Sequence, residues 1–310
     1  MTILLTGATG VIGSVLLPLL ARSHDVTVLA RNPLLPNALC GDVTVPGLGL
    51  CAYEHTRLTD RLRLVVHAAA LTDFRRAPEE YHRVNTLGTR HVTELAEHAG
   101  AALIHLSTAA LDAPVRGTGT GDRMLLAYAA SKRRAESVVR EAGCPAVNVR
   151  VGGVLGDSVT GRIARPQAVH RLLRGLAAGR SPALGIPDDH WIDLLPQDVL
   201  ARYLADLAEQ ALLGREFLAE PLWATAGPAR LTLGELKSLC GWDAQGVGQV
   251  SGSREGAERP PTALAQILTS VFLPPSHPQL PTSLGTLVPS GEEMRAAVRA
   301  NIRRVGALRG

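Results

Sequence analysis

Tyr128 and Lys132 stand four residues apart in a segment whose pattern predicts a helix over 124–142, so they project from one face a turn apart. A phenol with a pKa near ~10 is a poor acid–base group at neutral pH. An ammonium beside it favours the phenolate and brings its proton affinity nearer the working range. Arginine supplies the same charge but does not readily join a proton relay. The chain uses arginine nearly everywhere else, and its only lysines are Lys132 and Lys237. Upstream, the hydroxyl of Thr108, with Ser107 as the alternate, is placed to complete an oxyanion-binding pair with Tyr128. The competing reading is an ordinary pair on a helix surface.

Such a pair needs a frame, and the frame begins at Thr6-Gly7-Ala8-Thr9-Gly10-Val11-Ile12-Gly13. This string follows the apolar run Ile3-Leu4-Leu5 and opens onto an apolar, helix-like segment over 11–22. A strand, a glycine turn and a helix in that order make a dinucleotide site, although the first two glycines are one residue further apart than in G-x-G-x-x-G. Gly7 permits the tight turn, Gly10 lets the backbone approach a pyrophosphate, and Gly13 lets the helix pack close to the strand. Thr9, Val11 and Ile12 complete the candidate phosphate turn, where a helix N-terminus offers N–H groups to the anion. Pro18 falls inside this helix, where a kink is expected.

A second strand, Asp25-Val26-Thr27-Val28-Leu29-Ala30, ends at Arg31. An acidic residue there binds a ribose 2′-hydroxyl, whereas arginine favours a 2′-phosphate, so NADP(H) is the expected cofactor. The rival reading of Arg31 is a solvated side chain before a proline turn. A third strand over 38–43 brings Asp42 and Val43 toward the adenine, unless Asp42 is only a turn residue. The fourth, Leu-Arg-Leu-Val-Val-His over 62–67, has the apolar run of a parallel sheet. It ends in Ala68, Ala69 and Ala70, small enough for the backbone to lie against a cofactor.

A helix over 79–98 carries Asn85, either a buried structural hydrogen-bonder or part of a proton relay. A fifth strand over 101–106 delivers Ser107 and Thr108 at its carboxyl end, the ligand side of an open α/β sheet. The glycine-rich loop at 116–121 reads as a lid or as a plain linker. A sixth strand over 144–150 leads to Gly152 and Val154, further candidate cofactor contacts.

This alternation predicts an α/β fold: a doubly wound parallel sheet (Rossmann) with a small, mostly helical C-terminal substrate lobe. The expected domains are an NADP-binding Rossmann domain over 1–155, carrying the catalytic residues, and a substrate lobe over 156–310. Returning Rossmann elements are expected around 190–226, including a helix over 197–210. A proline-rich stretch over 254–289 precedes a basic helix over 291–308, where Arg295, Arg299 and Arg303 share a face beside Arg304.

The bulk properties exclude several classes. With 46% hydrophobic and 19% charged residues the chain is globular rather than disordered. The net charge of +4 rests on scattered arginines, and aromatics are only 3%, so no nucleic-acid footprint is read. Cys40, Cys51, Cys144 and Cys240 form no CxxC pair, so neither a metal site nor a disulfide framework is expected. No apolar run approaches a membrane span and no secretory segment precedes the first strand, which points to a cytoplasmic protein without membrane contact.

Taken together, the chain resembles the extended short-chain dehydrogenase/reductases, whose glycine turn has the wider spacing seen here. The matching residues are the 6–13 turn, Asp42-Val43, 68–70, Asn85-Thr86-Leu87-Gly88-Thr89, Ser107-Thr108 and Tyr128-Ala129-Ala130-Ser131-Lys132. Within that superfamily it is most similar to the thioester-reductase branch, which includes peptide-synthetase reductase domains, carboxylic acid reductases and fatty acyl-CoA reductases. That finer likeness rests on Gly41-Asp42-Val43-Thr44 with Leu48-Gly49-Leu50, His67-Ala68-Ala69-Ala70, Ser131-Lys132 with Ala135-Glu136, and Gly156-Asp157-Ser158 with Thr160-Gly161.

The resemblance implies Thr108, Tyr128 and Lys132 as the catalytic group and Arg31 as a 2′-phosphate contact. It implies an NADPH-dependent reductase acting on an acyl thioester held by a carrier protein or coenzyme A, with an aldehyde or alcohol as product. The rivals are a reductase of free ketones or aldehydes, a nucleotide-sugar epimerase or dehydratase, and a non-enzymatic dinucleotide sensor. Arg31 counts against the epimerase, and the tyrosine–lysine pair against the sensor. Two departures stand out: Val151 follows Arg150 where the branch usually has proline, and the C-terminal lobe is short without a placeable motif. The oligomeric state is left open.

Overall fold

The computed structural model describes residues 2–32, 38–73, 76–112, 120–179, 186–217, 220–242 and 272–307. The chain divides into two compact units. The first comprises Met1–Leu111, Ala127–Val151 and Leu200–Trp223; the second comprises Asp112–Leu126, Gly152–Val199 and Ala224–Gly310.

In chain order the regular elements begin with β1 (Thr2–Thr6), α1 (Gly13–Leu20), β2 (Asp25–Ala30), β3 (Ala38–Cys40), α2 (Ala52–Thr59) and β4 (Leu62–His67). Next come α3 (Pro78–Tyr81), a π-helical turn (His82–Leu87), α4 (Gly88–Ala99), β5 (Ala102–Thr108), α5 (Thr120–Arg140) and β6 (Ala146–Val151). Then follow β7 (Gly153–Leu155), α6 (Ala168–Ala177), β8 (Trp191–Ile192), β9 (Leu194–Pro196) and α7 (Gln197–Leu212). The last are β10 (Leu222–Ala224), β11 (Leu231–Thr232), α8 (Leu233–Leu239) and α9 (Gly291–Ala307).

The expected doubly wound parallel sheet is present, with seven strands in the order β10-β6-β5-β4-β1-β2-β3. The ladders from β6 across to β3 are all parallel. Strand order reverses between β1 and β4, so the turn leaving β1 opens at a switch point, where ligands of such sheets bind. The central strands are apolar on both faces: Ile3, Leu4, Leu5, Leu64, Val65 and Val66 are all fully buried. Each such side chain contributes about 1.5–3 kcal/mol on burial. Leu95 of α4 and Val139 of α5 close a core over Leu4, Val65 and Leu103.

Three local departures from the sequence reading have physical causes. The helix over 79–98 is present without a break, but a π turn between α3 and α4 inserts a residue within it, and Asn85 of that turn is buried. The third strand stops at Cys40, and the chain folds through Gly47, Leu48 and Gly49, all with φ between 60° and 69°. A left-handed leucine costs about 1–2 kcal/mol. Complete burial of Leu48 offsets that cost, and its carbonyl accepts the Asp42 N–H at 2.9 Å. Lastly, α1 starts at Gly13 rather than at 11, because Gly10 N–H closes the glycine turn on the Gly7 carbonyl at 2.9 Å. Pro18 sits on the exposed side of α1, which runs through it.

The second unit has its own core, in which Val169, Leu172, Leu173 and Leu176 of α6 pack with Leu236 of α8 and Met294 and Val298 of α9. Two short ladders, β7 with β9 and β8 with β11, complete it. Residues 116–119 of the glycine-rich loop and 254–271 of the proline-rich stretch lie outside the described residues. No helix among the described residues is long and apolar enough to cross a membrane.

Candidate active site

Helix α5 presents Tyr128, Lys132 and Glu136 at i, i+4 and i+8, only 7%, 2% and 3% exposed. A helix-surface pair is thereby excluded. The Tyr128 phenol is hydrogen-bonded by the Thr108 side chain at the end of β5. The Tyr81 ring meets it edge-on, with centroids 6.0 Å apart. Burial pushes the Tyr128 phenol up to about 12, and the Thr108 hydrogen bond pulls against that rise. Tyr128 therefore keeps its proton throughout the neutral range and is poised as a donor.

Lys132 Nζ donates to the Leu106 carbonyl at 2.6 Å and lies 3.1 Å from His105 Nε2. Burial lowers its pKa to about 8, while the Glu136 carboxylate works in the other direction. The expectation that Lys132 would draw the Tyr128 phenol toward neutrality is not met. The ammonium is committed to β5, and burial rather than Lys132 sets the phenol's proton affinity. Glu136 is itself gripped by Arg150, whose Nε and NH2 donate to its two carboxylate oxygens at 3.0 and 2.8 Å. Arg150 also lies over the Trp223 ring.

Asn85 reads as a clasp. Its Oδ1 accepts from Leu71 N–H at 2.8 Å, and its Nδ2 donates to the Leu71 carbonyl and to Ser131 Oγ at 3.2 and 3.0 Å. Ser131 Oγ in turn donates to the Tyr128 carbonyl at 2.6 Å. The π turn thus ties the segment after Ala68, Ala69 and Ala70 to α5, and the Asn85 side chain serves as a buried structural hydrogen-bonder. Ser107 is buried and its Oγ has no partner among the described residues, an orphan that a bound group would satisfy.

At the glycine turn no side chain caps α1, and the Ser14 and Val15 N–H groups close on the Gly10 and Ile12 carbonyls at 3.1 Å. Gly7 has φ 75°, and a Cβ there would stand 2.6 Å from the Ala68 carbonyl carbon; one on Gly13 would stand 2.3 Å from the Gly7 carbonyl oxygen. Thr9 is exposed, while Gly10, Val11 and Ile12 are partly so. Arg31 is exposed directly after β2. Asp42 uses Oδ1 to accept from Thr44 N–H at 2.8 Å, and Val43 packs over Gly88.

Gly152 and Val154 belong to the second unit. There Gly152 N–H bonds to the Ala224 carbonyl at 3.0 Å, and a Cβ on Gly152 would meet Asp193 Oδ1. Asp193 accepts from Ala226 and Gly227 N–H, while burial raises its pKa to about 6.

Buried polar residues to which the sequence reading assigns no role are His67, which enters it only within the 67–70 string, together with His105 and Asn148. Each is a polar side chain set between two apolar neighbours in the sequence, which is the signal the strands carry for them. Among the described residues no cluster could hold a metal ion.

The chain is similar in sequence and in fold to known proteins. A component of the linear gramicidin synthase of Brevibacillus parabrevis is 26% identical over 249 residues, covering 66% of this chain and 5% of that protein. A 4-hydroxy-2-methyl-3-oxo-4-farnesyl-3,4-dihydroquinoline-1-oxide ketoreductase of Stigmatella aurantiaca is 33% identical over 152 residues, 45% of each. The chain spans less than half the length of the curated relatives it matches. Among solved structures, the terminal R domain from the myxalamid PKS-NRPS biosynthetic pathway superposes with a TM-score of 0.64 at 27% identity. That match covers 77% of this chain and 68% of the other. The family model described as male sterility protein matches residues 36–204, more than half of the chain. This protein therefore belongs to the male sterility (thioester reductase) family of extended short-chain dehydrogenase/reductases.

Proposed function

We propose that this protein is an NADPH-dependent reductase of an activated acyl group, a thioester on a carrier protein or on coenzyme A. The observation that carries the proposal is the buried Tyr128, with the partly exposed Thr108 side chain acting on its phenol and buried Lys132 one turn further along α5. The residues present fit a dinucleotide: the N-terminus of α1, without a side-chain cap, suits a pyrophosphate, and Ser107 Oγ lacks a partner among the described residues. Arg31 suits the 2′-phosphate, with Asp42 and Val43 beside the adenine. Bound NADPH would supply a hydride to the carbonyl carbon. Thr108 and Tyr128 would hold the oxygen as it becomes negative, and Tyr128 would give it a proton. Lys132 would hold the cofactor ribose and keep one positive charge in a dry site.

Arg31 gives the first test. NADPH should bind more tightly than NADH, and Arg31→Asp should erase or invert that preference. Titrating both cofactors into both proteins measures it, and an unchanged ratio removes Arg31 from the site.

The substrate gives the second. On α9, Arg299, Arg303 and Arg304 are exposed, and Arg295 is shared with Glu235 at 3.3 Å. Such a face suits an acidic carrier, an attraction that salt weakens. NADPH oxidation with carrier-bound thioesters should fall as salt rises and with charge reversal at Arg299 and Arg303. Short pantetheine thioesters should be much less affected. The second reading, a free ketone or aldehyde reductase, draws on the likeness to the Stigmatella ketoreductase. It takes over if free carbonyls are reduced and no thioester is turned over at any salt concentration.

A further inference from the structure

Thr6, His67, His105 and Asn148 lie directly opposite one another on β1, β4, β5 and β6, a polar row across the middle of an apolar sheet. All four are buried. Burying so much polarity is costly unless every group is paired, so the pairing states what the row is for.

The bonds fix both imidazoles. Asn148 Nδ2 donates to the Glu136 carbonyl at 3.1 Å, which turns Asn148 Oδ1 toward His105 Nδ1 at 2.7 Å. His105 therefore carries its proton on Nδ1 and leaves the lone pair of Nε2 facing Lys132 Nζ. Thr89 Oγ1 donates to the Asn85 carbonyl at 2.7 Å and so accepts from His67 Nε2 at 3.1 Å. His67 Nδ1 then accepts from the Thr6 hydroxyl at 2.7 Å. The two rings stack, with centroids 5.7 Å apart. Burial and the nearby ammonium hold both well below the usual histidine range, so neither competes with Lys132 for charge.

We propose that His105, locked by Asn148 as a neutral Nδ1–H imidazole, is a positioning residue that holds Lys132 as an ammonium and aims it from beneath. Two acceptors from β5, His105 Nε2 and the Leu106 carbonyl, take two of the three ammonium protons and leave one for the reacting groups. The charged or titratable groups facing Lys132 are His105 from β5, His67 from β4, and Tyr128 and Glu136 from α5, with Arg150 of β6 held on Glu136. Glu136 supplies the field, but His105 supplies the directed contact. The inference takes Lys132 as a group of the proposed reaction, yet its central test reads a titration and not turnover.

The chain has only two lysines, so labelling lysine with 13C and 15N gives two side-chain signals that Lys237→Arg assigns. His105→Leu should lower the Lys132 midpoint by about one to two pH units, the size of one lost hydrogen bond to a charged group. His105→Gln, whose amide oxygen can accept from the ammonium, should recover at least half of that shift. The alkaline limb of kcat/KM should move with the midpoint in both variants. A folded His105→Leu protein with an unmoved Lys132 midpoint overturns the proposal, as does a Gln variant no better than Leu. Should His105→Leu not fold, the wild-type His105 ring nitrogens decide. A proton on Nδ1 and none on Nε2 between pH 5 and 8 supports the assignment, and the opposite tautomer or a titrating ring overturns it.

Discussion

Tyr128→Phe is expected to bind NADPH with near-normal affinity and to lose ~10²–10⁴-fold in turnover, the span of a general acid's contribution. The substitution removes one oxygen from a ring that stays packed edge-on against Tyr81, so stability should change little. The pH profile makes the assignment sharper. A tyrosine pushed up to about 12 does not lose its proton in the working range, so the alkaline limb cannot belong to it. Lys132, lowered to about 8 by burial, titrates there instead. Its positive charge is present below that value and lost as pH rises through it, so kcat/KM should decline above about 8 in the wild type. The residual activity of Tyr128→Phe should decline over the same interval. Steady-state rates across pH for both proteins check this. Near-normal turnover in the phenylalanine variant removes Tyr128 from the reaction.

Much of this site was legible in the sequence because it rests on local spacing. The glycine turn and the Tyr128/Lys132 interval are short strings whose geometry follows from one strand–helix junction and one helical turn. What supports Lys132 was not legible for the opposite reason. His105, His67 and Asn148 become neighbours through strand register, and strands buried on both faces lack the alternation that would state it. The π turn at Asn85 was not legible either, because α3 is only four residues long and too short to show the phase shift that an inserted residue makes. In the second unit α6 carries buried residues at 169, 172, 173 and 176, a helical period. Its neighbours β8, β9 and β11 are only two or three residues long and carry no period at all.

The three glycines of the β1–α1 turn should respond to alanine in different ways, and the difference tests what the turn is for. At Gly13 a methyl would meet the Gly7 carbonyl oxygen at 2.3 Å and Ala8 Cα at 2.7 Å. Both are backbone and neither can retreat without opening the turn. At Gly7 the obstruction is the Ala68–Ala69 peptide at 2.6 Å, and φ 75° adds a left-handed penalty of about 1–2 kcal/mol. Overpacking alone typically costs about 1–3 kcal/mol, so both variants should unfold several degrees below the wild type. Gly10 is different: its φ is ordinary and its Cβ would stand 3.1 Å from the Gly7 carbonyl, a contact relieved by a few tenths of an ångström. Gly10→Ala should therefore keep the wild-type melting temperature within a degree or two. If Gly10 is where a pyrophosphate approaches the backbone, the methyl occupies that space and displaces a charge-assisted hydrogen bond. NADPH affinity should then fall about ten- to a hundredfold, which corresponds to about 1.5–3 kcal/mol. Thermal unfolding and NADPH titration of the three variants separate the cases. A Gly10→Ala protein that binds NADPH as tightly as the wild type would mean that the turn shapes the fold but does not cradle the cofactor.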